Sequence, residues 1–167
     1  MSLKAAPIVF LCLAGFHATA GTGRTLQASC DAAVYRQFDF WIGEWDVHTQ
    51  RNRAKGTPAL SRIREVSSGC AVVEEYRNPW GQTATSLSSF DDTSRQWRQV
   101  LVDDRGRATL LSGHFDHGRM VMYDQASNGT RRVTWEPLPN GNVRQHGEIL
   151  SDGTNWRTSF DALYAPR

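Results

Sequence analysis

Along most of the chain, apolar and polar residues alternate singly in short runs. Val133 and Trp135 alternate with Arg132, Thr134 and Glu136, and Trp156, Thr158 and Phe160 alternate with Arg157, Ser159 and Asp161. A period of two belongs to strands with one buried and one solvated face. Turn signals separate these runs at intervals of about a dozen residues, the spacing of consecutive antiparallel strands. They include Ser68-Gly69, Asn78-Pro79-Trp80-Gly81, Asp116-His117-Gly118, Pro139-Asn140-Gly141 and Ser151-Asp152-Gly153. Asn-Gly and Asp-Gly pairs tolerate positive φ and so suit tight hairpins. The pattern predicts ten strands, over 44–50, 60–67, 71–77, 83–90, 96–103, 108–115, 119–124, 130–136, 143–150 and 156–164. A ten-strand meander is best stabilised by closing on itself, which removes its exposed edges. The expected fold is therefore an all-β antiparallel barrel, with an open sheet or a sandwich as the alternative. A barrel of more than about eight strands begins to leave interior room for a ligand.

The first thirty residues read differently. Lys4 precedes an apolar run from Ala5 to Phe16, and Ala18-Thr19-Ala20 offers a small-x-small cleavage site. That order is expected of a secretory signal, and the run is shorter than the roughly 20 residues a membrane span needs. Cys12 lies within it without the preceding small residue of a lipoprotein signal. The expected organisation is a signal peptide over 1–20, a flexible arm over 21–30 and one barrel domain over 31–167. Export to the periplasm or the medium follows. Asp31 is placed to cap a short helix over Ala32–Phe38, with Val34, Tyr35 and Phe38 on one face. Nothing beyond it reads as helical.

Charge and cysteine content narrow the partners. The whole chain carries 19 basic and 17 acidic residues, interspersed without a basic block. Nucleic acid and anionic membrane are not expected partners. Two cysteines remain after signal removal, Cys30 and Cys70, and an even pair in an oxidising compartment is expected to bridge. The bridge would pin the capping segment to the barrel.

The most specific string is Phe38-Asp39-Phe40-Trp41-Ile42-Gly43-Glu44-Trp45-Asp46-Val47. Its Gly43-x-Trp45 step, after a short helix and at the first strand, resembles the signature of lipocalins and other calycins. Glycine allows a tight bend as the chain joins the barrel, and the indole then closes that end against the first and last strands. In calycins an arginine of the last strand often covers that indole, and Arg157 is the counterpart the resemblance suggests. The mature chain as a whole resembles a family of bacterial exported lipocalin-like proteins with an FDFWxGEWxV opening. Gly69-Cys70, Trp97 and Gln99, Thr134-Trp135, Val143-Arg144-Gln145 and Trp156…Phe160-Asp161…Tyr164 carry that likeness. The resemblance implies the fold and export, and no particular chemistry.

Catalytic and metal motifs are few. The chain has no Gly-x-Ser-x-Gly elbow, phosphate-cradling loop or zinc-protease motif. His114, Asp116 and His117 flank a hairpin turn, where polar residues are expected anyway, so no metal site is assigned. Glu74 and Glu75 are adjacent on a strand and face opposite sides, which makes them poor acid/base partners. Nitrobindin-like barrels bind haem through a late-strand histidine. His146 sits on such a strand, but Arg144 and Glu148 place it on a solvated face, and no cofactor is expected. Asn128-Gly129-Thr130 formally matches a glycosylation acceptor and reads as a turn.

The expected interior wall is apolar with a few amides, as in small-molecule sites. Its candidate residues are Trp97, Gln99, Met122, Trp135, Gln145 and Phe160, with Met120 as a further deformable wall. The leading expectation is a barrel that binds a small, mostly apolar molecule. An isomerase or hydrolase using the same cavity, for example through His114, is the second. An envelope interaction module with a filled barrel and an apolar patch at Trp80 is the third.

Overall fold

The computed structural model describes residues 30–126 and 129–167. The segment expected as a signal, all of the arm but Cys30, and Asn128 lie outside the described residues. Ten strands follow one another as an antiparallel meander: β1 Gly43–Thr49, β2 Ala59–Val66, β3 Ala71–Arg77, β4 Thr83–Asp91 and β5 Gln96–Asp103. They continue as β6 Ala108–Asp116, β7 Arg119–Ala126, β8 Gly129–Pro137, β9 Val143–Leu150 and β10 Trp156–Pro166. β1 pairs with both β2 and β10, with Trp45 opposite Ser61 on one side and Pro166 on the other. The barrel is closed. The open-sheet and sandwich alternatives fall.

Two helical expectations are corrected. Residues 32–38 form no continuous helix; two 3-10 turns, Ala33–Arg36 and Asp39–Trp41, stand there instead. Asp31 does not cap the first, whose N-cap is Ala32 without a side-chain bond. The chain breaks at Phe38 because that ring is drawn wholly into the barrel, with no exposed surface. The second correction is a one-turn helix, α1, over Gln50–Arg53. Thr49 and Asn52 form a reciprocal capping box, and Asn52 Nδ2 donates to the Val47 carbonyl at 2.7 Å. The box satisfies the backbone N–H groups of Thr49 and Asn52, which so short a helix would otherwise leave open.

The 3-10 segment stoppers the end at which β1 begins. Phe38 is its centre, stacked on Trp41 at 4.9 Å and edge-on to Trp97 and Trp135 at 5.7 and 5.5 Å. Such aromatic contacts add to the area they bury. Trp45 Nε1 donates to the Trp41 carbonyl at 3.0 Å, and the indole meets Tyr164 of β10 edge-on. A Cβ on Gly43 (φ +154°) would press on that indole at 3.3 Å. Gly43 and Trp45 thus close this end between first and last strands. Arg157 does not cover the indole; it lies at the opposite end of β10 from Pro166, Trp45's partner, and faces Asp152.

Cys30 and Cys70 form a disulfide, with Cα atoms 5.0 Å apart. Cys70 lies in the turn between β2 and β3, at the stoppered end. Arg36 adds an ion pair to Glu65 and a bond to the Gly69 carbonyl beside it. The bridge therefore ties the stopper to the barrel. Disulfides of this kind persist in oxidising compartments, which argues against the cytoplasm. Among the described residues, no helix is long and apolar enough to cross a membrane.

Candidate functional site

Alternation sets the lumen wall, and one irregularity redirects it. Thr158 pairs with Glu148, whereas Phe160 pairs with Gly147, so Ser159 is an extra residue in β10. The bulge reverses the faces beyond it. Trp156 consequently lies outside, with the Arg132 guanidinium 4.3 Å over its ring. Phe160 points inward and lies over Gly147, where an added Cβ would come within 2.1 Å of the ring. The shared face expected for Trp156, Thr158 and Phe160 is therefore corrected.

Beyond the stopper the lumen is hollow, with two lobes. One, of about 310 Å3, has Leu111, Val133, Gln99 and Arg131 in its wall. The other, of about 300 Å3, is walled by Val47, Glu74, Tyr76, Ala84, Ala162 and Tyr164. Leu101, Gln145 and Phe160 belong to both and mark their junction. Both volumes suit a small organic molecule. The residues expected at the wall divide accordingly. Gln99, Gln145 and Phe160 line the lobes, and Gln99 Nε2 donates to Ser88 Oγ at 2.9 Å. Trp97, Met122 and Trp135 are fully buried and, with Met120, belong to the hydrophobic core instead. Trp97 Nε1 donates to Gln37 at the stopper.

The polar centre of the lumen is Glu74, which the sequence reading had set aside. It is only 4 % exposed, whereas Glu75 faces solvent. Ser61 Oγ lies 2.8 Å and Tyr164 Oη 3.1 Å from its Oε1, and Ser86 Oγ lies 3.2 Å from Oε2. Burial pushes the carboxyl above its usual 4.5, and the three hydroxyls only partly oppose this. Burial, and then Glu74, hold the Tyr164 phenol well above its usual value. Tyr164 Oη also lies 3.0 Å from Gln145 Oε1. A polar chain thus runs from Ser61 and Ser86 through Glu74 and Tyr164 to the lobe junction. Its sequence trace was the alternation of Val72, Glu74 and Tyr76, which places Glu74 on the face of a core valine.

At the far rim Arg131 pairs with Asp124 across β7 and β8. The charges of this inward-facing pair cancel.

The four histidines among the described residues lie elsewhere. The β-face pattern puts His48, His114 and His146 on the outside, and His117 sits in a turn with Nδ1 2.6 Å from Asp116. His114 approaches Gln96, and His146 meets Thr158 Oγ1 at 3.1 Å. Trp80 is 42 % exposed, with Arg51 and Lys55 stacked over it at 4.3 and 5.2 Å. The apolar patch on the outer wall is instead Leu87, Val100 and Leu110, directly cross-strand on β4, β5 and β6.

Fold and lumen together define a class, a closed ten-strand meander barrel of lipocalin-like all-β architecture, stoppered at one end. Compared with models of protein families and with curated proteins, the chain matched none.

Proposed function

We propose that this is an exported lipocalin-like barrel that holds a small, mostly apolar molecule in its lumen. The observation that carries the reading is the two-lobed cavity, joined at Leu101, Gln145 and Phe160, above an aromatic stopper. Apolar walls with a few amides supply burial for the ligand and one or two points of orientation. The signal-like segment at 1–20 and the Cys30–Cys70 bridge both support an extracytoplasmic setting, periplasmic or secreted. The FDFWIGEWDV string supports kinship with the exported lipocalin-like family. Native mass spectrometry of protein purified from its own host tests the reading. The expected result is a bound small molecule released by organic solvent; mass matching the bare chain, with no lipophilic probe taken up, would contradict it.

One observation favours a second reading, an enzyme acting in the same cavity. Glu74, Tyr164 and Gln145 converge within hydrogen-bond reach inside the lumen. The outward histidines weigh against the His114 route, leaving Glu74 as the acid such an enzyme would use.

A further inference from the structure

The polar chain in the lumen has a direction, and that direction specifies a ligand. Tyr164 has one hydroxyl proton but two acceptor oxygens in reach, Glu74 Oε1 at 3.1 Å and Gln145 Oε1 at 3.0 Å. It can donate to only one of them. Both contacts become hydrogen bonds when Glu74 carries a proton, donates it to Tyr164 Oη, and Tyr164 donates onward to Gln145 Oε1. Burial favours that neutral acid, and the hydroxyls around it oppose this only in part. β2 and β4 present Ser61 and Ser86 to Glu74, β10 presents Tyr164, and β3 itself presents Tyr76. No cation is among the groups that shift Glu74, and Arg51 of α1 acts on its neighbour Tyr76 instead.

With its oxygen held by Tyr164, Gln145 has its Nε2 amide left to present at the lobe junction. That nitrogen has no protein acceptor among the described residues, and its neighbours at the junction, Leu101 and Phe160, offer no side-chain acceptor. Gln145 is half-buried, so its amide faces the open lumen, and an occupant that displaces water from it must supply the acceptor. Three charged residues line the first lobe, and each is paired, Arg131 with Asp124 and Arg132 with Glu148, so with Glu74 neutral the lumen attracts no net charge. We infer that the lumen takes an uncharged, mostly apolar molecule bearing a carbonyl oxygen, which accepts from Gln145 Nε2 between the two lobes. This rests on the lumen-binding reading and sharpens it.

Three bicyclic probes of similar size separate the possibilities: indanone, which only accepts, indole, whose N–H only donates, and indane, which does neither. Binding to the full mature protein is measured by calorimetry at about pH 6, with Gln145→Leu and Glu74→Gln alongside. The expected order is indanone tighter than indane by roughly fivefold, one neutral hydrogen bond, with indole no tighter than indane. Gln145→Leu should bring indanone level with indane, and Glu74→Gln, a permanently neutral donor to Tyr164, should keep the preference. Equal binding of all three, or a preference for indole, overturns the carbonyl inference and leaves the lumen reading standing. Failure of all three to bind overturns both. Should Gln145→Leu not fold, the wild-type order alone decides.

Discussion

The Phe160 ring occupies the space that a side chain at Gly147 would fill, two residues paired across β9 and β10 beside the bulge at Ser159. The bulge turns Phe160 inward, and the glycine makes room for it. Gly147→Ala should therefore push the ring out of the junction, at a cost of about 1–2 kcal/mol typical of overpacking. In a Phe160→Ala background the same change should cost little, because the overlapping ring is gone. Urea unfolding of the double-mutant cycle measures this coupling. Equal costs in both backgrounds would contradict the packing.

The stopper should behave as a single buried aromatic unit. Phe38→Ala removes the ring that Trp41, Trp97 and Trp135 all touch, and the expected loss is about 3–5 kcal/mol. Increased quenching of tryptophan fluorescence by acrylamide should accompany it, since three of the chain's indoles border that ring.

Removing the bridge should loosen the same end. The Cys30–Cys70 loop spans 40 residues, for which the chain-entropy model gives about 4 kcal/mol. A Cys30→Ser, Cys70→Ser variant should lose stability on that scale. Its hydrogen exchange should rise in residues 33–41 before it rises in β5 to β8.

Glu74 predicts a distinctive pH dependence. Its folded carboxyl titrates above the ordinary value of 4.5, so the native state holds the proton more tightly than the unfolded state does. Its contribution is complete below the unfolded value and is lost as pH rises through the folded one. Stability of the wild type relative to Glu74→Gln should therefore fall across that interval. Asp91 and Asp152 have the opposite sign. Ser94 and then Arg98 hold Asp91 down to about 2, and the backbone N–H of Asn155 does most for Asp152, also at about 2. Their contribution is present above 3.8 and lost as pH falls through 2. Chemical unfolding from about pH 2 to about pH 9, with Glu74→Gln as control, separates the two trends.

The barrel was legible because its turns are written in Gly, Asn and Asp, and because strands such as β5 and β8 alternate cleanly. Trp97, Gln99 and Leu101 were readable as one face for that reason. The site was less so. In β4 the inward residues are Ala84, Ser86 and Ser88, whereas Leu87 faces out, so hydrophobicity points the wrong way. These small hydroxyls are inside because Glu74 and Gln99 need partners there. Phe160 was assigned to the wall, but on a face shared with Trp156, since a bulge leaves no mark in a period-two pattern. α1 was missed because its capping box uses Asn52 in place of the usual Glu or Gln. Trp97 and Trp135 alternate as lumen-wall residues do, and the inward fold of Phe38 against both rings makes them core.

The most direct test of lumen binding is a fluorescence titration with N-phenylnaphthylamine against three proteins: wild type, Leu101→Trp, which fills the lobe junction, and Leu110→Asp, which disrupts the outer apolar patch. Saturable binding to the wild type, lost in Leu101→Trp and kept in Leu110→Asp, is the predicted result. Binding kept in Leu101→Trp and lost in Leu110→Asp would place the dye on the outer wall and contradict a ligand held inside.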